Sequence, residues 1–188
     1  MGGVSDEELV GSFQQSGEMR HLDELVQRHV TKVRSMVYAM VLNHADADEV
    51  TQEIFIRMTS GVGAFRHRAR FSTWLYRIAM NTAHSFLARR ARRPLEHQAE
   101  PPDRPDRAPG PDGTLAAKES DAEVERAMAD LSPSLRAAIS LTAIQGLDVR
   151  EAARAEGCLA ATMYWRVHEA RKRLKKRLAR HLAGGEGT

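Results

Sequence analysis

Six of the seven prolines in this chain fall between Pro94 and Pro111. Proline fixes φ and cannot donate a backbone hydrogen bond, so neither a helix nor an internal strand continues through such a segment. The residues between the prolines are mostly charged or small and offer little apolar surface to bury. Any fold must therefore be built on the two sides of this stretch. The reading is two domains, residues 1–93 and 120–188, joined by a flexible linker over 94–119, with a short flexible tail at the end of the second.

Each side is long enough for a small core within the 188 residues. Hydrophobic residues make up 42% and aromatics 5%. Alanine, arginine, leucine and glutamate are common, while runs of β-branched and aromatic residues are scarce, so the expected class is all-α. The single cysteine, Cys158, excludes an internal disulfide and fits a reducing compartment. The opening MGGVSDEELV turns acidic at once, and the longest apolar run, Met36–Leu42, is far short of the ~20 residues that cross a bilayer. These features point to a soluble, cytoplasmic protein with no membrane insertion. No internal repeat is visible.

Helical punctuation is readable on both sides. Ser5 and Glu8 have the spacing of a capping box. Leu22, Leu25, Val26, Val30 and Val33 keep one helix face, as do Val50, Ile54 and Met58. Gly61 and Gly63 interrupt the pattern. Trp74, Leu75, Ile78, Ala79 and Thr82 resume it, with Ser72 as the expected N-cap. In the second half Ser132 caps with Pro133 at the first helical position, and Gly146 ends that helix. Asp148 and Glu151 repeat the capping-box spacing, and Gly157 supplies a turn. A last helix follows with a stripe at Met163, Val167, Ala170, Leu174, Leu178 and Leu182. Two helices around a tight glycine turn, the second one basic, form a helix-turn-helix pattern.

Charge is distributed unevenly along the chain. Residues 1–62 carry ten acids and five bases, whereas residues 63–95 carry eight arginines and no acid. Such a block suits a polyanion, although a solvated basic face has the same composition. Three stretches follow from this. The glycine-flanked GVGAFRHRARF combines aromatic rings with guanidiniums, a combination suited to unpaired nucleic acid. Core packing is the competing assignment for Phe65 and the better one for Phe71. The final helix, from Met163 to His181, carries eight Lys or Arg against one acid, Glu169. Its first turns place Tyr164, Trp165 and His168 where a recognition helix meets base edges, with later cations on phosphates; the alternative for Trp165 is packing on a neighbouring helix. In DADEVTQEIFIRM the side chains of Asp48, Glu49, Gln52 and Glu53 project away from the apolar stripe, as a solvated face or a protein-docking one.

These stretches, DADEVTQEIFIRM, FRHRARFSTWLYRIAMNTA and GLDVREAARAEGCLAATMYWRVHEARKRLKKRL, resemble in content, order and spacing the bacterial RNA polymerase sigma factors of the extracytoplasmic-function (ECF) subfamily. The resemblance covers about Ser5–Arg93 and Asp121–Leu182. It implies a transcription initiation factor that binds core RNA polymerase through the large-subunit clamp helices and flap. Asp48, Glu49, Gln52 and Glu53 become the polymerase-contact residues. The resemblance further implies that Phe65, Arg66, Arg68, Arg70, Arg77, Asn81 and His84 meet the minus-ten element and capture its non-template single strand. By the same likeness Thr162, Tyr164, Trp165, Arg166, His168, Glu169, Arg171 and Lys172 read the minus-thirty-five element in duplex DNA. It also implies control by an anti-sigma protein. No cofactor, metal or small-molecule substrate is expected.

The chain departs from the family pattern at His67, Arg68 and Arg70 in the loop. It departs again at Ala152, Ala155 and Glu156, where larger apolar residues are usual, and at Tyr164, Trp165 and Glu169. The small residues at 152 and 155 suggest a thin core in the second domain. Two other classes fit the sequence less well. A stand-alone duplex-DNA regulator would need neither the acidic helix nor the arginine-aromatic loop. An enzyme built on His21, His29, His44, His67 or His84 lacks any ligand or catalytic spacing.

Overall fold

In the computed structural model the described residues are 3–92 and 115–184, the side chains of 115–121 and 180–184 excepted. They form eight α-helices and no strand: α1 (Asp6–Ser16), α2 (Met19–Val41), α3 (His44–Gly61), α4 (Phe71–Arg92), α5 (Leu115–Ala129), α6 (Pro133–Ile139), α7 (Val149–Glu156) and α8 (Ala160–Gly184). A 3-10 turn, Val62–Ala64, follows α3, and a π turn, Ser140–Ile144, extends α6. The chain is all-α, as the composition implies. Of the expected linker, residues 94–114 lie outside the described residues; from Leu115 the backbone is already helical.

Local chemistry sets most boundaries. The Ser5–Glu8 capping box forms in both directions, with Ser5 N–H donating to Glu8 at 2.7 Å and Glu8 N–H donating to Ser5 at 3.2 Å. Asn43 caps α3 by accepting from Asp46 N–H. Asp148 caps α7 by accepting from the amides of Arg150 and Glu151 at 2.7 and 2.9 Å. Here the expected box is only half present, because the Glu151 side chain turns to Arg70 instead. Ser132 is the N-cap residue of α6 through its backbone, without a side-chain bond, and Pro133 follows at the first helical position. Gly157 ends α7 at φ 71°, a left-handed conformation that glycine adopts without a Cβ penalty.

Three local expectations shift. Val30 lies off the buried stripe of α2, at 36% exposure, and His29 takes the inward position, hydrogen-bonded to Asp6 at 2.6 Å. Helix α4 begins at Phe71, so Ser72 is inside the first turn rather than its cap; Arg70 occupies the cap position, its carbonyl accepting from Trp74 N–H. The helix ending at Gly146 is not α-helical throughout, because its last turn widens to the π form.

The α1–α4 bundle and the α5–α8 bundle are each helical domains, and one apolar core runs through both. Leu22, Leu25, Met36, Ile54, Met58, Phe71, Leu75 and Met80 join Leu141, Ala152, Ala153, Ala155, Met163 and Val167. Helix α7 packs on α4, and α6 and the π turn pack on α2. The Ser140 hydroxyl donates to Met36 O at 3.0 Å in a fully buried contact. Tyr38 donates to Glu125 at 2.5 Å, and burial, then that bond, pushes its hydroxyl pKa up. The small residues at 152 and 155 are therefore not thinly packed: α4 covers them.

Candidate nucleic-acid and polymerase interface

The arginine-aromatic loop between α3 and α4 is held from outside itself. Gln14 of α1 donates its Nε2–H groups to Val62 O at 3.0 Å and Phe65 O at 2.9 Å. At the far end, Glu7 of α1 accepts from Phe71 N–H at 2.8 Å, filling the place of a missing side-chain cap on α4. Between these anchors His67 sits at φ 53°, a region that side chains rarely adopt. Phe65 is 7% exposed, its ring packed edge-on or tilted against His67, Phe71 and Trp74 at 4.8–6.1 Å. Its ring faces the protein and shapes the loop. The outward positions belong to Arg66 and Arg68.

Those two arginines, with Arg77 and Arg154, edge a cleft of about 460 Å³ whose apolar wall includes Phe65 and Trp74. None of the four has an ion-pair partner among the described residues. Arg28, Arg34, Arg57, Arg89 and Arg90 of the same domain are all paired with carboxylates. Further along α4, Arg77 and Asn81 are exposed on the side away from the α4 core residues Leu75, Ala79 and Met80. His84 is half-buried, its Nε2 3.0 Å from Glu156 Oε1. Arg70 is exposed and lies 3.5 Å from Glu151.

On α3, Val50, Ile54 and Met58 are buried and the acidic face turns outward. Asp48 pairs with Arg34 at 2.5 Å, and that hydrogen bond holds its carboxyl below the usual value. Glu53 is shared by Arg57 at 2.6 Å and Arg89 at 3.5 Å. Glu49 and Gln52 are exposed with no partner among the described residues, next to the exposed apolar Ile56. The patch combines two committed acids, two uncommitted polar groups and one apolar side chain.

The start of α8 is the most outward-facing aromatic surface of the molecule. Tyr164 and Trp165 are 58% and 61% exposed, beside exposed Leu159, so Trp165 is not packed on a neighbouring helix. Met163 and Val167 anchor the opposite face. Thr162 is half-buried, and His168, Arg171 and Lys172 are exposed. Arg166 turns inward to Glu156 at 3.2 Å. Glu169 is engaged by Arg173 at 2.7 Å, which keeps its carboxyl below the usual value.

Four roles that matter to this geometry escape the sequence reading: Gln14 as donor to the loop carbonyls, Glu7 as acceptor for Phe71 N–H, and Glu151 and Glu156 as partners of Arg70, His84 and Arg166. Each target lies on another helix or in the loop, so only tertiary structure gives it. Among the described residues no three His, Cys, Asp or Glu side chains are grouped to hold a metal, and no helix is long and apolar enough to cross a membrane.

Comparison with known proteins brings the same elements together. Residues 25–93 match the model of Sigma-70 region 2, and residues 121–174 that of Sigma-70, region 4. The chain is 32% identical to the RNA polymerase sigma-H factor of Pseudomonas aeruginosa over 92% of its length and 93% of the relative's. It is 31% identical to the ECF RNA polymerase sigma-E factor of Escherichia coli K12, over 93% and 95%. Among solved structures, CnrH in complex with the cytosolic domain of CnrY has a TM-score of 0.70 at 26% identity, over 93% of this chain and 97% of that one. The sigma factor RpoE of Bartonella quintana, solved with the anti-sigma factor NepR, shares the fold at a TM-score of 0.71 and 22% identity, over 84% and 96%. With matching models on both sides of the proline stretch and relatives aligned nearly end to end, the chain belongs to the ECF family of RNA polymerase sigma factors.

Proposed function

We propose that this sigma factor divides promoter engagement between two surfaces and polymerase docking onto a third. The loop 63–70 and the outer face of α4 take the non-template strand of the minus-ten element, with Arg66, Arg68, Arg70 and Arg77 on phosphates and Asn81 and His84 toward bases. The start of α8 reads the minus-thirty-five duplex through Tyr164, Trp165 and His168, with Arg166, Arg171 and Lys172 on phosphates and Thr162 beside them. Glu169 orients Arg173 as well as facing the groove. Asp48, Glu49, Gln52 and Glu53 meet core polymerase. Phe65 acts by setting the shape of the loop.

The observation that carries this reading is the selective lack of partners among the arginines. In a domain where most guanidiniums have a carboxylate, Arg66, Arg68 and Arg77 have none among the described residues, beside a cleft with an aromatic wall, and of the loop arginines Arg70 alone is paired, with Glu151. Unpaired cations beside aromatic rings suit phosphates and unstacked bases, and strand opening then draws on binding energy to offset a few kcal/mol per flipped base. Bond-making chemistry stays with the polymerase. The structures of CnrH and the Bartonella RpoE with their partners support control of this chain by an anti-sigma protein as well. Its site of action in this reading is the cytoplasm.

Abortive transcription with core polymerase, on duplex and on pre-melted promoter, tests the assignment. Asn81→Ala is expected to lose at least ~10-fold on duplex template and to recover on pre-melted template, since only opening is impaired. Equal loss on both templates would remove Asn81 from the strand-capturing role.

A further inference from the structure

We propose that the start of α8 selects its duplex by the C5-methyl groups of thymines, with Ala161, Tyr164 and Trp165 as the specificity-determining residues. The inference rests on the reading of α8 as the helix that meets the minus-thirty-five element, and adds the base chemistry it selects.

The shape of the face comes first. Met163, Val167 and Ala170 are buried, so the outward stripe of α8 is Ala161, Tyr164, Trp165 and His168, at i, i+3, i+4 and i+7. Arg171 and Lys172 continue the same stripe one turn on, followed by Lys175 and Lys176. All four cations are exposed, and none has an ion-pair partner among the described residues. The helix thus presents two turns of apolar and aromatic surface and then a run of free positive charge. A cationic continuation of the same face fits a polyanion, and commits the aromatic turns to a groove of duplex DNA.

Elimination then gives the base. In the major groove, guanine is read by the N–H groups of Arg or Lys, adenine by Asn or Gln, cytosine by a carboxylate, and thymine by apolar contact with its methyl. From Leu159 to Glu169 the charged side chains are Arg166 and Glu169. Arg166 is held inward by Glu156 at 3.2 Å, its side chain 21% exposed, so its fork is turned away from guanine edges. Glu169, equally exposed, accepts from Arg173 at 2.7 Å, which occupies the carboxylate a cytosine would need. No Asn or Gln occurs between Leu159 and Lys172. The hydroxyls of Thr162 and Tyr164 and the ring of His168 each form single bonds that more than one base can satisfy.

What the two turns do offer is apolar. Leu159, Tyr164 and Trp165 are 76%, 58% and 61% exposed, in a molecule whose Phe71, Leu75 and Met163 are fully buried. Thymine is the base whose edge such a surface distinguishes, because its methyl is the apolar group that a major groove presents. Two rings call for at least two methyls.

Selection from randomised duplex DNA by the full chain on core polymerase gives the upstream block, and competition gel shifts then test that block after chemical editing. Expected is a block with at least two thymines. Replacing each by deoxyuridine, which removes the methyl alone, should weaken binding about fourfold, the worth of one methyl taken out of water. A cytosine–guanine pair in the same place should also weaken binding, and 5-methylcytosine–guanine should recover most of that loss. In the double variant Tyr164→Ala with Trp165→Ala, helicity by circular dichroism should be unchanged, and thymine and deoxyuridine duplexes should bind alike. A block without thymine, a wild type indifferent to deoxyuridine, or a thymine preference that persists in the double variant overturns the proposal. If the double variant nonetheless selects a different block from the wild type, the reading of α8 stands without it. If the double variant selects the same block with the same affinity, or no upstream block emerges, that reading fails and the inference with it.

Discussion

The two domains fill their interiors differently. Among the described residues, ten of the twelve largest fully buried side chains belong to the first domain, Phe71, Leu22, Met36 and Met58 among them, and two to the second, Leu141 and Met163. Its remaining buried positions near the first domain are mainly alanines: 137, 138, 152, 153 and 155. Large side chains enclose volume within a bundle, whereas alanines bring backbones close to a neighbour. The first domain thus supplies most of the large side chains of the shared core, while the second adds a smaller cluster of Met128, Leu131, Leu135, Ile139 and Ala170 that takes in Ala39 of the first. The first domain is the platform, and the second holds less of its apolar interior alone.

The largest expected effect tests the platform. Phe71→Ala empties a fully buried ring site that joins α4 to Phe65, Trp74 and His29, and a loss of about 3–5 kcal/mol is expected in chemical denaturation. A loss below about 1 kcal/mol would break the comparison.

Met163→Ala comes next, with about 2–3 kcal/mol expected. The two tryptophans sharpen its reading, because Trp74 reports on the first domain and Trp165 on the second. In a Trp165→Phe background the Trp74 transition should move little, while in a Trp74→Phe background the Trp165 transition should move to lower denaturant. Coincident transitions would mean that the halves unfold as one unit.

Smaller in stability, though not in function, is Gln14→Glu. It keeps the shape but turns one donor of the loop anchor into an acceptor facing carbonyls. Folding stability should fall by about 1–2 kcal/mol, two such bonds at about 0.5–1 kcal/mol each, while opening of a duplex promoter falls about 10-fold and recovers on pre-melted template. Glu7→Gln retains its acceptor for Phe71 N–H and should behave as wild type. Equal behaviour of the two variants would dismiss α1 as the loop's support.

The smallest effect concerns acid. Asp148 caps α7, and the Glu151 and Arg150 amides hold its carboxyl below the ordinary value of 3.8. A depressed folded pKa gives stability present above that ordinary value and lost as pH falls through the lower folded one. Asn43, the neutral cap of α3, has no such dependence. Asp148→Asn should flatten the acid limb of the second domain's unfolding, followed at Trp165, without changing it at neutral pH.

Most helices were legible because amphipathic stripes and caps are local: Ser5 with Glu8, Val50 with Ile54 and Met58, Pro133, Gly157. The misses share one cause. His29 replaces Val30 in the core because Asp6 of another helix meets its Nε2. Helix α4 starts early because Glu7 of another helix accepts from Phe71 N–H, a first-turn amide with no intrahelical partner. Phe65 turns inward because Trp74 and Phe71 are there to meet it. The alanines of α7 read as a thin core because a stripe states that an apolar neighbour exists and not which helix provides it. The outward position of Arg66, Asn81, Tyr164 and Trp165 was legible for the opposite reason: nothing among the described residues claims them.

The loop's two anchors also bear on how this protein can be recombined. Gln14 and Glu7 lie in α1, upstream of the stretch from residue 25 that carries the family match. A graft that moved only residues 25–93 into a relative would carry every arginine of the loop and leave its scaffold behind. Chimeras that swap promoter preference therefore have a natural left border before Ser5, and a cut at the family boundary would transplant the side chains without the shape that aims them.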